Sequence, residues 1–136
     1  MSPTLMRIVV PISLVLLLVA VSEAGLPTIH MEVTNRLSNN KKLALHCYER
    51  LGRDLGEFIL PPGGQFNYDF LPRLVFKSSK YYCSVKWDGS NLKWFDVWSK
   101  GRDYKEGLLV KWSITEKKSC RFDHATGAYS VCVFWN

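Results

Sequence analysis

The chain has 136 residues, 47% hydrophobic, 13% aromatic and 22% charged, with a formal net charge of +6 at neutral pH. That balance excludes a disordered polyelectrolyte or a low-complexity repeat and suits one folded domain with one core. The positive charge admits nucleic acid, an acidic wall polymer, an anionic membrane surface or an acidic receptor patch as partners, without choosing among them.

Arg7 precedes the apolar run IVVPISLVLLLVAV, and Ser22-Glu23-Ala24 follows it. A charged start, an apolar stretch and a small-x-small site predict a secretory signal peptide over residues 1–24, cut after Ala24. Pro11 and the immediate cleavage site argue against an anchor helix. The mature chain, residues 25–136, is then a single domain, with no membrane insertion after signal removal. It keeps all five Trp, six Tyr and seven Phe, and because Arg7 and Glu23 cancel it also keeps the net charge of +6. Export argues against nucleic acid as the partner.

From Ile29 onward, apolar residues recur with period two in short bursts between turn clusters, which predicts strands. Ile29, Met31 and Val33 form the inward row of the first, and Leu37 to Lys42 a turn. Leu43, Leu45 and Cys47 face inward on the second, opposite Ala44, His46 and Tyr48. Glu49 to Gly56 reads as a charged loop, followed by Phe58-Ile59-Leu60 and the turn Pro61-Pro62-Gly63-Gly64. Phe66, Tyr68 and Phe70 alternate with polar residues up to Pro72, and Leu74-Val75-Phe76 predicts another strand.

The stretch Tyr81 to Trp98 predicts a hairpin about Asp88-Gly89-Ser90-Asn91. Cys83, Val85 and Trp87 share one face of its first arm. On the second arm Lys93, Phe95 and Val97 oppose Leu92, Trp94, Asp96 and Trp98, so large apolar groups fall on both sides. Either a second layer covers the surplus or it forms a binding surface. Ser99 to Gly107 is polar and glycine-broken, and is expected to stay out of the core. Leu108, Val110, Trp112 and Ile114 line the next strand, and Cys120 to Phe122 with Tyr129 to Trp135 predict a closing hairpin. The fold class is therefore all-β, a small antiparallel sandwich.

Cys47, Cys83, Cys120 and Cys132 suit an exported protein as two disulfides, and their spacing lacks the close Cys pair of a zinc site, so no metal is expected. Three connectivities are possible. If Ala125-Thr126-Gly127 turns a hairpin, Cys120 faces Cys132 and Cys47 is left for Cys83.

No catalytic constellation stands out. His46 and His124 would serve as an acid-base pair only if a third group were placed beside them, and Asp54, Asp69, Asp96 and Asp103 select no pair of facing carboxylates. Nucleophile-elbow, zinc-protease and phosphate-loop motifs are absent, so neither catalysis nor a cofactor is expected. Asn-x-Ser/Thr is also absent.

Leu45-His46-Cys47, Arg53-Asp54-Leu55-Gly56, Leu60-Pro61-Pro62-Gly63-Gly64-Gln65-Phe66 and Phe70 resemble the plant self-incompatibility protein family, the stigmatic S-proteins and their homologues. The resemblance continues through Tyr82-Cys83, Trp87, Phe95-Asp96-Val97, Trp112 and Ile114. It implies a secreted β-sandwich with disulfides that acts as an extracellular ligand. In the poppy-type system, pollen perceives the stigmatic protein through a membrane receptor and stops growing. Many relatives carry a cysteine shortly before the tryptophan matching Trp112; Gly107 to Lys111 has none, so their pairing does not transfer directly. On this reading Lys100, Arg102, Asp103, Tyr104 and Lys105, with Asn39, Asn40, Lys41 and Lys42 as a second patch, are the receptor-contact candidates. The alternatives are a homologue with another extracellular signalling role, or a carbohydrate-binding sandwich using Trp94 and Trp98 as a platform.

Overall fold

The computed structural model describes residues 28–71, 80–103 and 108–135, apart from the side chain of Lys100 and the exposure of Gly101. The predicted signal peptide and the strand predicted at Leu74-Val75-Phe76 lie outside the described residues. The strands are β1 (Ile29–Asn35), β2 (Leu43–Glu49), β3 (Asp54–Leu60), β4 (Gln65–Phe70), β5 (Lys80–Lys86), β6 (Lys93–Ser99), β7 (Leu109–Ile114), β8 (Lys118–Asp123) and β9 (Ala128–Phe134). A short helical turn, α1 (Lys100–Asp103), follows β6. One sheet runs β4-β1-β7-β8-β9 and the other β3-β2-β5-β6. Neighbours are antiparallel except β1 and β7, which pair in parallel from His30 with Leu109 to Asn35 with Ile114.

The period-two rows become the core between the sheets. Met31 and Val33 from β1, Leu43 and Leu45 from β2, Val85 from β5, and Trp112 and Ile114 from β7 are buried. A buried aliphatic side chain contributes on the order of 2 kcal/mol, and Trp112 and Trp98 each remove more area from water than any aliphatic neighbour. The Asp-Gly turn forms as its residues dictate: Ser90 N donates to Trp87 O at 3.0 Å, with Gly89 at φ +85°.

The two-sided second arm of the hairpin is resolved by a bulge. Tyr81 pairs with Trp98 but Tyr82 pairs with Asp96, leaving Val97 as the extra residue. Val97 and Trp98 are consequently both turned inward with no exposed surface. Trp98 meets Phe70 edge-on at 5.2 Å. Trp98 is therefore no part of an exposed platform, and Trp94 stays outside, half exposed.

Both disulfides join directly opposed residues of adjacent strands: Cys47 with Cys83 across β2 and β5, and Cys120 with Cys132 across β8 and β9. The pairing is the one that a hairpin at Ala125-Thr126-Gly127 requires, and Gly127 N closes that turn on Asp123 O at 2.8 Å.

Two loops depart from expectation. The charged loop shortens because β3 already begins at Asp54, and the polar segment after β6 is drawn inward at Asp103, which has no exposed surface. The Asp103 carboxylate accepts from Ser99 N (2.8 Å), from Arg102 Nε and Nη2 (2.8 and 2.7 Å) and from Arg121 Nη1. A buried charge needs such partners, and here two guanidiniums supply them.

Asn35, at the end of β1, ties down the crossing to the second sheet. Its Nδ2 donates to the carbonyls of Lys41 (2.9 Å), Leu60 (3.1 Å) and Pro61 (3.1 Å), and its Oδ1 accepts from Leu37 N (2.9 Å). Asn39 and Asn40, at φ 57° and 55°, occupy the left-handed region that asparagine tolerates, which lets the chain reverse in a few residues. Replacing Asn35 with Leu keeps the volume and orphans these groups. Destabilisation of about 2 kcal/mol is expected, seen as a thermal midpoint lower by roughly 10 °C. A midpoint within about 2 °C of native would mean that water replaces the amide.

Candidate functional site: the outer face of the four-stranded sheet

The alternation that buries one row of β2, β5 and β6 places the other on the outside. Three cross-strand rows result. Asp54, Tyr48, Tyr82 and Asp96 form one; Glu57, His46, Ser84 and Trp94 form the next; Ile59, Ala44 and Lys86 form the third. Exposed acids, lysines and aromatics thus share one continuous surface on a sheet stapled by Cys47 and Cys83.

At its centre lies an aromatic stack. The His46 ring lies over Tyr48 at 4.3 Å, Tyr48 over Tyr82 at 5.4 Å, and Trp94 leans against both tyrosines at about 6 Å. His46 Nε2 contacts Asp54 Oδ1 at 2.7 Å, and Gly56 N donates to the same oxygen at 2.7 Å. The Gly56 amide first, and then His46, hold the Asp54 carboxyl below its usual range. The stabilisation from this contact is therefore fully present above the ordinary carboxylate pKa and is lost only as pH falls through the lowered value. Burial, then the nearby Asp54, push the Tyr48 phenol up from its ordinary value.

Beside the third row the sheet opens into a cleft of about 830 Å³, lined by Asn39, Asn40, Lys41 and Lys42 on one wall and Lys86 to Ser90 on the other, with Ala44 and Ile59 between. The turn before β2 and the hairpin turn between β5 and β6 build the two walls. Lys41, Lys42 and Lys86 make no ion pair among the described residues, whereas Lys80 pairs with Asp96 and Arg102 with Asp103. The cleft has a net positive rim with only Asp88 to offset it.

The structure thus places one predicted patch, Asn39 to Lys42, at an exposed concave surface. Of the other patch only Arg102 and Asp103 have described side chains, and both are engaged by the fold. Asp103 is buried, and Arg102 is held by Asp103 and by Asp96 O (2.8 Å), with its guanidinium 5.3 Å from the Trp112 ring. The Lys100 side chain, Tyr104 and Lys105 lie outside the described residues. His46 is on β2, whereas His124 lies in the turn between β8 and β9 of the other sheet, where its Nε2 contacts Leu109 O at 2.9 Å. Tyr48, Tyr82 and Lys86 are not among the contact candidates expected from the sequence, although Tyr48 and Tyr82 are aromatics at strand positions opposite the apolar row, where polar residues are the norm.

Residues 30–135 match the family described as plant self-incompatibility protein S1. The chain belongs to that family. It is 33% identical to S-protein homolog 4 of Arabidopsis thaliana over 108 residues, covering 76% of this chain and 70% of the relative. S-protein homolog 3 from the same plant is 31% identical over 110 residues, 78% of this chain and 71% of the relative. S-protein homolog 18 is 30% identical over 132 residues, 91% and 92% of the two chains. In this member of the S1 family, the matched region contains both sheets, both disulfides and the whole outer face.

Proposed function

We propose that this S1-family protein is a secreted ligand, released once residues 1–24 are removed, which acts through surface recognition and not through catalysis. Its partner is the extracellular face of a membrane receptor on a responding cell. In the mating role the protein is stigmatic, of the poppy type, and its perception by pollen arrests the growth of self pollen. A homologue with another extracellular signalling role would use the same surface with a different responding cell.

The observation that carries this reading is the basic cleft. Its lysines are unpaired among the described residues, its asparagine turn is locked by Asn35, and a cystine braces the sheet beneath it. A preformed surface loses little entropy on binding, and unpaired rim charges raise the encounter rate with an acidic partner. Lys100, Tyr104 and Lys105 remain in the proposal as a second contact patch; Arg102 and Asp103 do not, because each serves the fold.

The test is binding of labelled mature protein to growing pollen tubes or other candidate cells. Reversing Lys41, Lys42 and Lys86 to Glu is expected to weaken binding at least about tenfold and to flatten its salt dependence. A triple variant that keeps its native midpoint, its binding and its biological potency removes the cleft from recognition.

A further inference from the structure

A second concavity, distinct from the basic cleft, lies at the β6 edge of the outer face. It measures about 400 Å³ and is lined by Lys80, Tyr82, Trp94, Asp96, Arg102 and, from β9 of the other sheet, Val133. That volume lies within the range of small-ligand sites. Trp94 is 50% exposed, whereas Trp98 and Trp112 have no exposed surface. Tyr48 and Tyr82, from the interior strands of the sheet, support the indole from one side at 6.0 and 5.9 Å. Beside it Lys80 Nζ and Asp96 Oδ1 stand 3.2 Å apart and both remain partly exposed.

From this arrangement we propose that the pocket is a subsite for a neutral saccharide. A sugar ring presents an apolar C–H face, which suits a fixed, half-exposed indole, and a rim of hydroxyls, each of which both donates and accepts. Asp96 accepts from one hydroxyl while the Lys80 ammonium donates to its neighbour, charge-assisted contacts that a pyranose satisfies without moving the pair. The partly exposed Asp96 carboxylate at the hydroxyl rim selects against an acidic sugar. Lys80 is already paired with Asp96, and Arg102 shares the buried Asp103 carboxylate with Arg121, so the pocket is mixed in charge, whereas Lys41, Lys42 and Lys86 of the other cleft have no ion-pair partner among the described residues. The site is independent of the receptor reading and would serve to hold the ligand near wall glycans.

The test uses the disulfide-intact mature protein titrated with cellohexaose, xylohexaose and mannohexaose, with hexagalacturonate as the charged comparison. Binding to the native protein is read from the Trp94 indole N–H signal in NMR spectra, and the affinity of every variant from isothermal titration calorimetry. At least one neutral hexasaccharide is expected to shift that signal saturably. Trp94→Ala should then weaken binding at least about tenfold, Asp96→Asn should weaken it by a smaller factor, and Trp94→Phe, which keeps a ring face, should retain part of it. Near-UV circular dichroism of each variant confirms the fold. A Trp94 signal unmoved by every neutral probe at about 10 mM overturns the proposal, as does neutral-sugar affinity unchanged in Trp94→Ala. Response to hexagalacturonate alone, lost in Lys41→Glu and kept in Trp94→Ala, overturns it too.

Discussion

Asp103→Ala is expected to lower stability by about 3–5 kcal/mol, the cost of leaving a buried charge without its partner. For a domain of this size that lowers the thermal midpoint by roughly 15–20 °C. The reason lies under α1. Asp103 has no exposed side-chain surface, and the Arg121 side chain, at 6% exposure, faces it directly. With the carboxylate gone, the Arg121 guanidinium stays in the interior with its charge uncompensated, the Ser99 amide loses its acceptor, and Arg102 loses the group that holds it over Trp112. Asp103→Leu combined with Arg121→Met should recover much of the loss, since an apolar pair has no charge to desolvate. Urea and thermal unfolding of the three proteins decide it. A single-variant midpoint within about 5 °C of native would show that the ion cluster contributes little.

Removing the Cys47–Cys83 bridge by double substitution to alanine is expected to cost about 4 kcal/mol, against about 3 for the Cys120–Cys132 bridge, from the loops each closes. The sequence separations are 36 and 12 residues. Burial widens the gap. Cys47 and Cys83 have no exposed surface, so alanine also leaves a void in the core, while Cys132 sits on the edge strand β9 and is partly open to solvent. Urea midpoints of the two double variants should fall in that order. The reverse order would mean that the β8–β9 hairpin limits the stability of the whole sandwich.

Much of this fold is legible in the residues, because strands buried on one side write their inward rows as alternation. Ile29-Met31-Val33, Leu43-Leu45-Cys47 and Val110-Trp112-Ile114 are read directly, and the turn at Ala125-Thr126-Gly127 points to the observed cystines. Three features are not written that way. The β6 bulge inserts one residue, so Val97 and Trp98 both face inward although strict alternation separates them. Asp103 looks like a surface acid, and only the approach of Arg121, distant in sequence, makes its burial tolerable. The parallel pairing of β1 with β7 depends on contacts some eighty residues apart, which no local pattern encodes. The candidate surface was half legible. Asn39 to Lys42 announced itself as a polar turn, but its opposite wall at Lys86 to Ser90 comes from a hairpin whose neighbour in space is set by sheet order alone.

The separation of the two faces of the four-stranded sheet has a consequence for how such a protein diversifies. Positions 44, 46, 48, 82, 84, 86, 94 and 96 point away from the interior, while their immediate chain neighbours, among them Leu45, Cys47, Cys83, Val85 and Phe95, fill it. Exchange at the outward positions changes the surface the molecule presents and leaves its foundations alone. A gene family built on this plan can vary that surface one codon at a time, and the stability of each descendant is inherited and need not be rediscovered.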